Sequence, residues 1–160
     1  MEHVFRAIIE ACAPLDAQTV IALGKDALSP EIFGTVPPNI KLVPYTPQVE
    51  LLRRASLCIL HAGLNTTLDC LENGVPMVPI PIASEQPGIA MRIARLGAGT
   101  VVPLAEVSAT SIGSAVQTVL TQHTYREAAQ FAAREIAKLH PTTEAVRVIE
   151  QVLALTLASA

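Results

Sequence analysis

The sequence predicts an α/β domain, built as a doubly wound parallel sheet with a helical C-terminal tail. Three observations predict it. Short apolar runs at residues 18–24, 40–44, 57–60, 77–80 and 100–103 alternate with segments whose apolar spacing is helical. The third run passes through a tight turn at Ala62-Gly63 straight into a helical segment, which is a strand-to-helix handover. From Ser108 onward only helical periodicity remains. The 160 residues form one domain, 1–160, long enough to bury about two thirds of the surface of the unfolded chain.

Taken in order, Val4, Phe5, Ile8, Ile9 and Cys12 make an apolar stripe at helical spacing that Pro14 closes. Residues 18–24 read as a buried strand, followed by a Pro-, Gly- and Ser-rich loop to Asn39 and a second strand at 40–44. Thr46 is placed to cap a short helix that has Pro47 at its first position and runs to about Ala55. Val49, Leu51 and Leu52 should face inward there, and Arg53 and Arg54 outward. After the strand that leads to His61, a helix should stop at Asn73-Gly74, and Pro76 begins the next strand. Pro87 starts another helix, with Ile89, Ala90, Ile93, Ala94 and Leu96 apolar, which ends at Gly97 before the strand at 100–103. The tail holds three helical stripes: Ile112, Val116, Val119 and Leu120; then Ala128, Phe131, Ala132, Ile136 and Leu139; and, after a break at Pro141, Val146, Ile149, Val152 and Leu153.

Composition narrows the function. Hydrophobic residues are 51% of the chain and aromatics 3%, so the core must be built from Ala, Val, Leu and Ile. The net charge is −3 with a pI near 5.8, and the basic residues are scattered, which argues against a nucleic-acid partner. No apolar run approaches the roughly eighteen residues of a transmembrane segment, and no signal-peptide pattern opens the chain, so a cytoplasmic protein is expected. Cys12, Cys58 and Cys70 contain no C-x-x-C pair and read as small core residues in a reducing compartment. The aspartates, Asp16, Asp26 and Asp69, lie far apart and give no D-x-D, so no metal site is expected.

The handover after residue 60 is the candidate site. A helix start carries unpaired N–H groups and the positive end of the helix dipole, an attraction for phosphate of about 0.3 to 2 kcal/mol. Asn65, Thr66 and Thr67 add polar side chains at the same place, and Asn and Thr are also ordinary helix caps. The loop after the next strand carries Glu85-Gln86, so two successive strand ends would face one crevice, where open α/β sheets bind ligands. Gly97 and Gly99 make no G-x-G-x-x-G, and neither a P-loop nor a G-x-S-x-G elbow occurs.

The order of these residues resembles the donor-binding signature of family 1 nucleotide-sugar-dependent glycosyltransferases, enzymes of the two-domain GT-B fold. Its parts here are Tyr45, Pro47 and Gln48; His61, Gly63, Asn65, Thr66, Thr67 and Asp69; Gly74, Val75 and Pro76; and Glu85 and Gln86. The H-A-G-L-N-T form, with Leu64 at its fourth position, is most similar to the bacterial branch that includes zeaxanthin glucosyltransferases. The resemblance implies a Rossmann-like C-terminal half of a GT-B enzyme. It assigns Tyr45, Gln48 and Asp69 to the uracil and ribose, His61, Gly63, Asn65 and Thr66 to the diphosphate, and Glu85 and Gln86 to the sugar. It further implies a UDP-sugar as substrate, with no cofactor and no metal, and a hexose, glucose by preference, transferred with inversion to a hydroxyl of a lipophilic acceptor. A lipid acceptor would hold the protein at a membrane surface.

In that family a strand precedes the first helix, whereas here a methionine stands directly before it. The expectation is a sheet lacking its first strand, in a donor half without its acceptor-binding domain and the general base that this domain supplies. The chain alone should bind the donor and transfer nothing. The gap invites pairing with a second copy. Two alternatives remain: a related UDP-sugar enzyme or the donor subunit of a split transferase, and a non-catalytic relic of the fold that acts by oligomerising.

Overall fold

The computed structural model describes residues 1–25 and 27–158, and Asp26 lies outside them. Helix α1 (Glu2–Cys12) comes first, then strands β1 (Thr19–Ala22) and β2 (Ile40–Val43), a single turn of 3-10 helix at Pro30–Phe33 lying between them. The middle of the chain is α2 (Gln48–Leu52), β3 (Cys58–Leu60), α3 (Leu64–Glu72), β4 (Met77–Pro79) and α4 (Gln86–Leu96). The tail is α5 (Ala109–Thr121), α6 (His123–Ala137) and α7 (Pro141–Ala158).

All pairing is parallel, and it falls into two halves. β1 pairs with β2 from Thr19↔Ile40 to Ala22↔Val43, and β3 pairs with β4 from Cys58↔Met77 to Leu60↔Pro79. No ladder joins β1 to β3 among the described residues, so each is paired along one side only.

The fifth strand is reduced to a bridge, Met77↔Gly99. The reason is chemical. Met77 N–H donates to Ala98 O, Thr100 N–H to Met77 O and Val102 N–H to Pro79 O, but Pro79 has no N–H with which to return a bond. The segment runs beside β4 with every bond its sequence allows.

Alternation along β3 and β4 divides the core between the two faces. Leu60 and Met77 pack with Leu52, Cys70, Ile89, Ile93 and Ala129 on one side, whereas Val78 and Ile80 pack with Val4, Ala7, Ile112 and Val116 on the other. Helices therefore cover both faces of the sheet, as a doubly wound arrangement requires.

Several expected inward faces point outward. On α2 only Leu52 is buried; Val49 and Leu51 are exposed, because the helix is only five residues long. Thr46 is not its cap, a place taken by Pro47 without a side-chain bond. Leu96 and Leu120 are exposed at the ends of their helices. On α6 the buried residues are Ala129 and Ala132, while Phe131 is 54% exposed and Leu139, beyond the end of the helix, 63% exposed. Here α6 comes close to the turn after α3, with Gln130 Cα 3.3 Å from where a β-carbon on Gly74 would lie. Pro141 opens α7 rather than merely separating two helices, and Val146, Ile149, Val152 and Leu153 on it are about half exposed. No helix of the described residues is long and apolar enough to cross a membrane.

Candidate functional site

The handover from β3 to α3 builds the first wall of the site. Ala62, fully buried, takes a left-handed φ of 64°, which turns the chain sharply after His61. Gly63 is the N-cap of α3 and offers no side-chain bond. The first intrahelical bond is Thr67 N–H to Gly63 O, so the N–H groups of Leu64, Asn65 and Thr66 have no acceptor within the helix. Asn65 and Thr66 stand at the second and third helical positions and are not caps. The far end is closed by a Schellman turn, with Gly74 at φ 63°, Gly74 N–H bonded to Leu71 O and Val75 N–H to Cys70 O.

Gly63 leaves room for the histidine two residues before it. A β-carbon on Gly63 would lie 2.5 Å from His61 Nε2, so the imidazole lies against the glycine and over the start of the helix. Behind this wall the Cys58 thiol donates to Ile59 O at 3.8 Å. Its interaction with the Cys70 thiol holds Cys58 below the ordinary thiol value; the same interaction, and then burial, push Cys70 above it. Both cysteines, like Cys12, are free thiols.

The second wall is the loop after β4. Ser84 also has a left-handed φ, 56°, and with Ala62 these are the non-glycine residues in that region among the described residues. Each lies in one of the two loops of the crevice, a placement that suits backbone strain held at a functional site. Gln86 Oε1 accepts the N–H groups of Ile82 at 2.9 Å and Ala83 at 3.1 Å and so ties the loop to the start of α4. Glu85 precedes the helix and is exposed.

Between the walls lies a cavity of about 400 Å³ lined by His61, Gly63, Leu64, Asn65, Thr66 and Glu85. The structure therefore brings together the four residues assigned to a diphosphate and the carboxylate assigned to a sugar. Leu64, 54% exposed, lines the cavity as well, though nothing in the residue pattern assigns it a role. Thr67 is displaced from the expected cradle. It is buried, and its hydroxyl donates to Gly63 O at 2.9 Å, because the fourth position of the helix faces the core.

The remaining residues stand beside the cavity rather than in its lining. Gln48 Nε2 donates to Asp69 Oδ2 at 2.6 Å, and Thr66 Oγ1 donates to Gln48 Oε1 at 3.3 Å. This chain of bonds links Thr66, in the cavity wall, to Asp69 one turn further along α3. Tyr45, 72% exposed, sits in the loop before α2 with its ring open to solvent. Gln86 has its carbonyl oxygen engaged by the loop backbone, leaving its amide nitrogen as the group it can offer a ligand. Among the described residues no three His, Cys, Asp or Glu side chains cluster to hold a metal ion.

Residues 6–152 match the family model described as the erythromycin biosynthesis protein CIII-like, C-terminal domain. The chain is similar to the protein named uncharacterized UDP-glucosyltransferase YojK of Bacillus subtilis (strain 168), 33% identical over 129 residues that cover 81% of this chain and 32% of that protein. It is also similar to NDP-glycosyltransferase YjiC of the same organism, 36% identical over 72% of this chain and 29% of that protein. Among solved structures the calicheamicin glycosyltransferase CalG4 matches with a TM-score of 0.86 and 29% identity, over 94% of this chain and 38% of that one. The chain thus spans about a third of the length of these curated relatives.

Proposed function

The chain belongs to the family of erythromycin biosynthesis protein CIII-like C-terminal domains, and from that premise we propose that it is the nucleotide-sugar donor domain of an inverting glycosyltransferase. The proposed donor is UDP-glucose, in keeping with the name of the Bacillus relative, and the acceptor a hydroxyl of a lipophilic molecule. Such work suits the cytoplasm, at the membrane surface where the acceptor is a lipid. One observation carries the proposal: an uncapped helix start, an imidazole and a carboxylate from a separate loop line one cavity of about 400 Å³.

In this site the diphosphate lies at the N-terminus of α3, receiving the free N–H groups of residues 64–66, that of Thr66 included, and hydrogen bonds from the side chains of Asn65 and His61. As the bond from the anomeric carbon to the diphosphate breaks, negative charge grows on the departing oxygen. Donors already aimed at that position stabilise it with little reorganisation. Glu85 accepts from the sugar hydroxyls, Gln86 adds its amide nitrogen, and Tyr45 offers a ring face to the uracil. The base that deprotonates the acceptor is assigned to a separate acceptor-binding domain. By themselves these residues bind donor and transfer nothing.

Calorimetric titration of the chain with UDP, UDP-glucose and TDP-glucose tests the proposal. Binding of UDP and UDP-glucose that His61→Ala weakens by about 10- to 150-fold is the expected result, and no heat with any of the three would overturn it. Glucose transfer to a hydroxylated lipophilic acceptor by the purified chain would overturn the division of labour. The one-sided pairing of β1 and β3 also supports association between copies through the open strand edges. A strict monomer by light scattering would rule that out.

A further inference from the structure

The loop after β4 is tied down by Gln86, which bears on the sugar end of the site and rests on the donor-site proposal above. The sheet bonds end where Ile80 N–H donates to Leu60 O, and Pro81, next in the chain, has no N–H. Among the described residues every hydrogen bond of residues 81–84 runs to Gln86. Ile82 N–H and Ala83 N–H donate to its Oε1 at 2.9 and 3.1 Å, and its own N–H donates to Ala83 O at 3.2 Å. Ile82, Ala83, Ser84 and Glu85 are exposed, so no buried side chain anchors this stretch, whereas Gln86 is partly buried.

Two features make that tie matter. Ser84 holds a left-handed φ of 56°, a conformation that a serine keeps only where its surroundings enforce it. The Glu85 side chain has no hydrogen bond or ion pair among the described residues, so the backbone that carries it sets its place in the cavity wall. Gln86 is not among the residues that line the cavity. The carbonyl end of its side chain is turned back onto the stretch that leads to Glu85.

We infer that Gln86 is a positioning residue for the sugar. By accepting the Ile82 and Ala83 N–H groups it keeps residues 81–85 folded against the start of α4 with Glu85 in the cavity wall, and this contributes more to sugar binding than any hydrogen bond from its amide nitrogen. Without the acceptor the two N–H groups are released, Ser84 relaxes out of the left-handed region, and Glu85, next in the chain, is carried out of the wall. The diphosphate cradle belongs to the other loop, so the loss falls on the sugar rather than on the nucleotide.

The test titrates UDP and UDP-glucose, which differ only by the sugar, into wild type, Gln86→Glu and Gln86→Leu, and follows amide hydrogen exchange at Ile82 and Ala83. Gln86→Glu removes the amide N–H groups but keeps an acceptor oxygen at the same place, whereas Gln86→Leu has neither. The ratio of the two affinities cancels the effect of the added charge on the diphosphate, which both ligands carry. In Gln86→Leu the affinity for UDP-glucose relative to UDP should fall by about ten-fold, the value of one hydrogen bond to a charged group, and protection at Ile82 and Ala83 should be lost. In Gln86→Glu the ratio should stay within about three-fold of wild type, with protection kept. An equal fall in both variants would assign the effect to the amide nitrogen and overturn the inference. An unchanged ratio in Gln86→Leu, as a merely structural tie would give, would overturn it too, and either result leaves the donor site in place. Binding of neither ligand by wild type would overturn both.

Discussion

Gly63→Ala separates the fold of the site from its chemistry. The backbone at Gly63, φ −64° and ψ 142°, is open to any residue, so alanine is not strained there. Loss of a glycine N-cap costs several tenths of a kcal/mol, and reduced freedom of the unfolded chain returns about 0.4–1 kcal/mol, so stability should change by less than about 1 kcal/mol. The added carbon would lie 2.5 Å from His61 Nε2. That atom is the far end of an exposed side chain, and the imidazole can rotate away. Rotation removes it from the helix start, and with it one hydrogen bond to a charged ligand, about 1.5–3 kcal/mol or 10- to 150-fold in UDP affinity. Urea denaturation and calorimetry on Gly63→Ala, His61→Ala and the double variant complete a thermodynamic cycle. The two losses should not add, because each removes the same contact. Full additivity, or unchanged UDP affinity in Gly63→Ala, would refute the placement of His61 over the cradle.

Ile112→Ala, at a fully buried position of α5, should cost about 2–5 kcal/mol in urea denaturation, whereas Phe131→Ala, 54% exposed on α6, should cost less than about 1 kcal/mol. The reverse order would restore the apolar stripe that the sequence suggests for α6. Burial pushes the Cys12 thiol above its ordinary value of 9.0, and a bond from the Thr19 side chain lowers it by less. The folded protein therefore keeps a proton that the unfolded chain sheds. Stability from this group is intact below about pH 9 and is lost as pH rises, by at most about 1.4 kcal/mol per pH unit. Urea midpoints between pH 7.5 and 10.5, as assay conditions, should fall more steeply for wild type than for Cys12→Ala, and parallel curves would refute the assignment.

How much of the fold was legible depended on how local its cause was. The paired strands, the Asn73-Gly74 stop and the helix that Pro14 ends follow from neighbouring residues, and each is present. The fifth strand read correctly as an extended segment, but its recognition as a strand depends on a bond that Pro79, on a different element, cannot make. On α6 the larger side chains looked like the core, yet its buried residues are Ala129 and Ala132, on the helix that comes close to the turn at Gly74. Apolar periodicity ranks residues by hydrophobicity; a close helix-to-turn contact ranks them by size.

The site divides along the same line. His61, Gly63, Asn65, Thr66 and Glu85 were legible because one strand-to-helix turn and the next strand end fix them, and the cavity gathers them. The sequence did not reveal that Thr67, beside Thr66, turns into the core, since a helix separates adjacent residues by about 100° and only the position of the N-cap sets which one faces the ligand. Nor did it reveal the Gln48–Asp69 bond, because it joins side chains 21 residues apart. An isolated aspartate in the second turn of a helix is free to choose its contacts, whereas this one is oriented by a 2.6 Å bond from an amide on α2, a five-residue element whose two exposed apolar residues gave little sign of that contact.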